Sequence, residues 1–268
     1  LKLITLLTDF GLEDGYPAIM KGVIWGIAPD AQVADISHSV SPQNIFQGAL
    51  TLKRAFPYFP SGTVHVAVVD PGVGTSRRAI AARLGSQFFV GPDNGLITLI
   101  LERTRHQNDP IEIVHLNRPE YWLPQVSRGF HGRDVFAPSA AHLVAGVALD
   151  RLGTPIDDPL LLSIPAPKTV PTGLQGQVIH VDHFGNLATN IDAAALAAAS
   201  LTGQFVSQVR IGGHVIPGMV QAFGDRTPGD LIALIDSDGY LAVSVVNGSA
   251  AGRTGAQLGD PVEVSIER

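Results

Sequence analysis

Three short apolar runs in this 268-residue chain end on a carboxylate: LKLITLLTDFG on Asp9, TVHVAVVDPGVG on Asp70 and QFFVGPDNG on Asp93. Gly or Pro follows each Asp within two residues, so each Asp falls where a strand gives way to a loop. In an open α/β sheet, ligands bind outside the carboxyl ends of the strands. Three carboxylates at three such ends therefore point at a site. Arg77 lies seven residues beyond Asp70 and can pair with it. The run Phe130-His131-Gly132-Arg133-Asp134 brings a His, an Arg and an Asp into a loop before a helix, where the plainer reading of Asp134 is a helix cap. Further on, Asp182-His183-Phe184-Gly185-Asn186 sets an aromatic ring beside an amide. That pair suits a purine, with Phe184 stacking on the ring and Asn186 pairing with its edge, although a strand end and turn have the same composition.

Other chemistries fit less well. The Asp70-Pro71-Gly72-Val73-Gly74 loop lacks the Gly-Lys-Ser/Thr ending of a phosphate loop. Asp9, Asp14, Asp70, His131 and Asp134 would form an oxygen-rich di-metal site if brought together. The nine His are scattered, however, and no HExxH or HxH pair is present, so no metal is expected. The chain has no cysteine, which removes disulfides, thiolate ligands and cysteine nucleophiles. The formal charge of -6 without a basic run argues against a nucleic-acid partner. The longest apolar runs, such as Leu96 to Leu101, fall far short of the ~20 residues of a membrane span. The first residues already read as a strand and show no signal peptide, so a cytoplasmic location is expected.

These side chains need a scaffold, and 45% apolar with 16% charged residues is enough to build one. Residues 1–150 alternate strand-like segments (3–8, 32–36, 63–70, 79–84, 87–91, 111–116) with helix-like ones (16–28, 42–56, 95–105, 133–147). Pro138 places the start of the last helix near itself rather than at Arg133. The alternation predicts an α/β domain with a mostly parallel open sheet. The stretch from Leu149 to Pro171 is aperiodic with five prolines, and residues 151–172 therefore read as a linker or surface strap. Residues 173–268 turn to strands and tight turns, with hairpin signals at IDSDGYL and IGGHV. A small antiparallel barrel-like domain is expected there, carrying the purine contacts.

With these residues in hand, the chain resembles the S-adenosyl-L-methionine (SAM) hydroxide adenosyltransferases, the adenosine-forming SAM hydrolases related to the SAM-dependent fluorinase and chlorinase. The resemblance runs through TDFG (8–11), Asp14-Gly15-Tyr16, MKGVI (20–24), VVDPGVG (68–74), GPDNG (91–95), FHGRDVFAP (130–138), FGN (184–186) and Val246-Asn247-Gly248. It implies hydrolysis of SAM to adenosine and L-methionine without metal or cofactor, in a homotrimer whose sites lie between subunits. It assigns Asp70, Arg77 and His131 to the water, Asp9 to the ribose hydroxyls, Asp14 and Ser237 to the methionine amino group, and Phe184 and Asn186 to the adenine.

The chemistry agrees. A sulfonium leaves as a neutral thioether, so the enzyme must place an oxygen in line with C5′ and strip it of bulk water. Two alternatives remain: a SAM-dependent halogenase using chloride, and a non-catalytic SAM or adenosine binder. Gly132 stands where the halogenases carry a Ser beside the halide, and Asp70 where they carry a Tyr; a carboxylate there repels a halide. A pure binder has no need of Asp70, Arg77 and His131 together. Gln43 replaces the family's usual aromatic residue against the ribose. Asp238 replaces an Arg that some relatives use for the methionine carboxylate.

Overall fold

The computed structural model describes residues 2–200 and 204–267. The chain divides into two compact units, Leu1–Ser163 and Ile164–Arg268. The first runs β1 (Leu3–Thr8), α1 (Tyr16–Ile27), β2 (Gln32–Ser37), α2 (Ile45–Ala55), β3 (Val64–Val68), β4 (Ala79–Leu84), β5 (Gln87–Pro92), α3 (Thr98–His106), β6 (Ile111–Leu116), α4 (Ala137–Val144) and β7 (Gly153–Pro155). Its seven-stranded sheet has the order β2-β1-β3-β5-β4-β6-β7.

The parallel part expected from the alternating pattern covers β2-β1-β3-β5. Every residue of β3 is buried, as are all but the first of β1, as in strands covered on both faces by helices. The other pairings, β5-β4, β4-β6 and β6-β7, are antiparallel. The cause is local at β4-β5. Leu84 pairs with Gln87 across Gly85-Ser86, and a two-residue connection reverses the chain, whereas a parallel neighbour needs a long crossover. The sheet is therefore mixed. One turn of π-helix (Gly132–Phe136) precedes α4, which begins one residue before Pro138.

The aperiodic stretch straddles the division between the units. β7 lies on the edge of the first sheet, and Leu161 bridges Gly95. Gly95 has φ +96, and a Cβ there would come within 2.7 Å of Leu162 Cγ, so this glycine admits the strap.

The second unit runs β8 (Lys168–Val170), β9 (Gly173–Val181), β10 (Leu187–Asp192), α5 (Ala193–Ala199), β11 (Phe205–Ile211), β12 (His214–Pro217), β13 (Leu231–Ile235), β14 (Tyr240–Val245), α6 (Ala250–Thr254) and β15 (Pro261–Glu267). Its neighbours follow the order β12-β11-β15-β9-β10-β14-β13, all antiparallel, with β8 added beside β9. Just past β12, the Val220 N–H donates to Ala233 O of β13 at 2.9 Å. The sheet thus curls into a nearly closed barrel around Leu174, Leu187, Val209, Leu241 and Val262.

β10 has no counterpart among the sequence-derived strands, because Thr189 and Asn190 interrupt its apolar pattern. Both are buried and bonded. Thr189 Oγ1 donates to Leu241 O at 2.8 Å, and Asn190 donates to Pro165 O at 2.7 Å while accepting from Gln177 N at 2.7 Å.

Candidate active site

The strand order sets the location. β1 is flanked by β2 on one side and β3 on the other, so chain progression reverses between β1 and β3, and such a switch point opens a crevice. Thr8 pairs with Val68 across these strands, so the loops carrying Asp9 and Asp70 leave the sheet at the same end. The FHGRD loop joins them. Phe130 packs edge-on against Phe10 at 5.7 Å and against Tyr16 at 5.1 Å between ring centroids, and Phe10 meets Tyr16 at 6.0 Å.

Arg77 ties the groups of this crevice together. Its Nε lies 3.0 Å from both Asp70 oxygens, and its Nη2 donates to Asp70 Oδ2 at 2.5 Å. The same Nη2 lies 2.8 Å from His131 Nδ1. The pair is nearly enclosed, with side chains 4% (Asp70) and 9% (Arg77) exposed, and the guanidinium lies 5.2 Å from the Phe136 ring centroid. Arginine has only donors, so His131 Nδ1 accepts and the ring proton is on Nε2. Burial pushes the His131 pKa below its ordinary value, and the Arg77 charge adds to this against the opposing fields of Asp70 and Asp134. A hydrogen bond between the ring and the Ser127 backbone also opposes the lowering. Asp70 Oδ1, which receives only the shared Nε–H, keeps capacity to accept another proton donor.

Asp9 is half-buried, and its Oδ2 accepts from the Gln43 backbone N–H at 2.8 Å. Gln43 has φ +65, a left-handed conformation unusual for a residue with a side chain. Asp14 is exposed and precedes α1 by way of Gly15 at φ +70. Gly132 is buried, and a Cβ there would lie 3.1 Å from Phe130, 3.2 Å from Phe10 and 3.3 Å from Met20 Sδ.

Two carboxylates flagged by the sequence have other occupations. Asp93 does not join the crevice. It is 1% exposed; its Oδ2 accepts from Arg78 Nε at 2.8 Å and its Oδ1 from Leu160 N at 2.7 Å. Arg78 also reaches Asp158 Oδ1 at 2.7 Å and its carbonyl at 2.6 Å. This cluster clamps the strap to the first unit. Asp134 is fully buried and accepts from Arg133 Nε at 2.6 Å and Ser127 N at 2.8 Å. Burial works to raise its pKa, but the bonds from Arg133 and Ser127 outweigh it and hold the carboxyl below the usual range. Its bond to Ser127 shapes the loop that presents His131. Among the described residues no group of three or more His, Asp or Glu is placed to hold a metal ion.

The second unit carries a cleft of about 670 Å³ lined by Asp182, Phe184, Asn186, Phe223, Val245 and the Asn247–Ser249 turn. Asp182 shapes one wall. Its Oδ1 accepts from the backbone N–H groups of Phe184 and Asn186, and its Oδ2 from Asn186 Nδ2 at 2.8 Å. A carboxylate only accepts, so the amide orientation is fixed and Asn186 Oδ1 is left as an acceptor. Phe184 is 73% exposed and Phe223 is 43% exposed. Phe223 was not singled out by sequence; an aromatic residue in the polar loop QAFGDRTPGD was the available signal. Ser237 is exposed in the β13–β14 turn, whereas the cleft adjoins the far end of β14. At ~3.3 Å per residue these ends of β14 lie roughly 17 Å apart.

Comparison with known proteins identifies the family. Residues 4–153 match the SAM hydroxide adenosyltransferase N-terminal domain, and residues 176–263 match its C-terminal domain. An (R)-S-adenosyl-L-methionine hydrolase of Thermus thermophilus is 40% identical, covering 98% of this chain and 100% of that protein. One of Salinispora arenicola is 39% identical, covering 98% and 97%. A fluorinase of an Actinoplanes species is 29% identical over 90% of each chain. The crystal structure of an uncharacterized conserved protein from Thermotoga maritima superposes with a TM-score of 0.88 at 37% identity, covering 98% of this chain and 99% of that one. With both family domains matched in order across nearly its whole length, the chain belongs to the SAM hydroxide adenosyltransferase family.

Proposed function

We propose that this protein is a hydrolase that cleaves S-adenosyl-L-methionine to adenosine and L-methionine. The observation that carries the reading is Arg77 held between Asp70 and His131 at the switch-point crevice. Water attacks C5′ in line with sulfur, the C5′–S bond breaks, and methionine departs as a thioether. The His131 Nε2–H donates to the water oxygen and orients it. The proton passes to Asp70 Oδ1, the carboxylate oxygen with acceptor capacity, and from there to solvent. Arg77 fixes both partners and does not itself accept. Asp9 holds the ribose hydroxyls, and Asp14 with Ser237 holds the methionine amino group. Phe184 and Phe223 stack on the purine, and Asn186 Oδ1 accepts from the adenine amino group. The span of β14 suits an extended ligand with adenine at one end and methionine at the other.

The curated relatives carry (R) in their names, a sulfur configuration that sequence reasoning did not supply. The same preference is proposed for this chain. No metal or cofactor takes part, the location is cytoplasmic, and the assembly is a homotrimer. The water and ribose groups belong to one unit and the purine groups to the other, which suits sites completed between subunits.

Halide transfer is disfavoured by Gly132. Gly132 has no hydroxyl to offer a halide, and a Cβ there would already lie 3.1 to 3.3 Å from Phe130, Phe10 and Met20. The test is chromatography of separated (R) and (S) SAM incubated with the protein, with chloride and with a chelator. Equimolar adenosine and methionine, faster from the (R) form and unchanged by chelator, is expected; a 5′-chloro nucleoside would overturn the reading. For assembly, mixing Asp70→Ala subunits with Asn186→Ala subunits should restore activity in a shared trimer, and a stable active monomer by light scattering would refute it.

A further inference from the structure

The TDFG segment (8–11) and the HSVSP segment after β2 (38–42) adjoin the crevice, yet only Asp9 among them has been given work. Behind Asp9 lies a connected polar chain. Thr8 is fully buried, and its Oγ1 accepts from the Phe10 N–H at 3.2 Å, closing a turn around Asp9. The same oxygen is 2.8 Å from Nδ1 of His38, which is 4% exposed. His38 also grips the far side of the turn, because its backbone carbonyl accepts from Gly11 N at 2.9 Å. His38 Nε2 stands 3.1 Å from Asp35 Oδ1, an ion-pair distance outside hydrogen-bond geometry, and Lys21 of α1 holds the other Asp35 oxygen at 2.6 Å. Asp9 itself is held from the front by the Gln43 N–H.

We infer that Thr8 and His38 are positioning residues for SAM hydrolysis: through a two-point grip on residues 8–11, they aim the Asp9 carboxylate at the substrate. This rests on the assignment of Asp9 to the ribose. Asp9 Oδ2 accepts one bond from Gln43, which leaves Oδ1 and the remaining lone pair of Oδ2 for the ribose hydroxyls, and their direction depends on the turn that Thr8 closes. An Asp-His-Thr series resembles a nucleophile relay. The Thr8 oxygen, however, is buried and already bonded to Phe10 N, which leaves it unsuited to attack and suited to support. The grip acts on binding and leaves the Asp70-Arg77-His131 group untouched, so its loss raises KM and spares kcat.

Steady-state kinetics with SAM on the full-length protein separate the possibilities. Thr8→Val keeps the shape of the side chain and deletes the hydroxyl; KM should rise roughly 3- to 10-fold, as for one or two lost hydrogen bonds, with kcat within about twofold. Thr8→Ser should return KM to within about twofold of the original. Melting curves followed by circular dichroism report whether each variant folds. Should Thr8→Val fail to fold, His38→Gln supplies the same readout with a KM rise in the same range. Asp9→Asn is the reference. If it raises KM and folded Thr8→Val or His38→Gln does not, the grip plays no part in positioning Asp9. If Asp9→Asn and the other variants all keep the original KM, the assignment of Asp9 to substrate falls and takes this inference with it. A drop in kcat at unchanged KM in Thr8→Val would also overturn it.

Discussion

His65 offers a test of how the interior of the first unit is built. It lies on β3, fully buried, between Thr5 of β1 and Gln87 of β5. Gln87 Nε2 donates to the Phe59 carbonyl at 2.5 Å, which turns Gln87 Oε1 toward His65 Nε2 at 3.0 Å. A carbonyl oxygen only accepts, so Nε2 carries the proton and Nδ1 accepts from the Thr5 hydroxyl at 2.8 Å. Phe56 and Phe59 pack against the ring, at 4.9 and 5.4 Å between centroids. Burial in this setting pushes the His65 pKa from 6.5 down to about 4, with the Gln87 bond opposing only in part. The sign follows from linkage. Between these two values the unfolded chain binds a proton that the folded chain refuses, so stability is full above the unfolded pKa and falls as pH drops toward the folded one. At about 1.4 kcal/mol per pKa unit, the gap amounts to about 3 kcal/mol. His65→Gln retains a donor toward Gln87 and cannot titrate. Urea unfolding followed by tryptophan fluorescence is well placed to measure the effect, since the two tryptophans, Trp25 and Trp122, both lie in the first unit. The stability difference between wild type and His65→Gln should narrow by about 3 kcal/mol between pH 7.5 and pH 4. Parallel stability curves over that range would refute the neutral, enclosed imidazole.

Asp70→Asn removes the proposed proton acceptor and keeps the shape, so kcat should fall about 10²-fold or more while calorimetric titration still finds SAM binding; an unchanged kcat would transfer the proton to another group. Gly132→Ser should produce no chlorinated nucleoside at high chloride and should lower Tm, because its neighbours stand only 3.1 to 3.3 Å from the new Cβ. Arg78→Ala leaves buried Asp93 without its cation, so unfolding stability should drop by roughly 3 kcal/mol and the Leu160 and Leu162 amides should exchange faster with deuterium; a drop below about 1 kcal/mol would show that the clamp is idle.

The strand-end carboxylates were legible in the sequence, and their fates were not. Asp9, Asp70 and Asp93 share the same local signature, an apolar run followed by a turn. What separates them is which cation reaches them, and that depends on strand order. Arg77 and Arg78 are chain neighbours just before β4. Arg77 turns to Asp70 and Arg78 to Asp93. Nothing in the spacing says which Asp belongs to which Arg, because β4 reaches its place beside β5 through a hairpin that breaks the parallel progression. Phe223 was hidden for a related reason: its ring gains meaning only beside Phe184, far away in sequence. By contrast, the hairpin turns and the change from helix-strand alternation to strands alone are local signals that transfer directly into the structure, and Phe184 and Asn186, close in sequence, both line the cleft.

Acceptor capacity then distinguishes the carboxylates that can do chemistry from those that hold the fold. Asp93 receives Arg78 on one oxygen and Leu160 on the other, while Asp134 receives Arg133 on both and Ser127 on one. Both are almost or wholly inaccessible, and replacing either leaves buried donors without partners. Asp9 receives a single backbone N–H on one oxygen and is half-buried. Asp70 is served entirely by one guanidinium that crowds toward Oδ2, leaving Oδ1 with half of a shared bond. A proton can be delivered to Asp70 without displacing a structural donor, which is not so at Asp93 or Asp134. That asymmetry supports the acceptor role proposed for Asp70. With its Nδ1 filled by Arg77, His131 can offer only a donor from Nε2, in keeping with the proposed orientation of the water rather than removal of its proton.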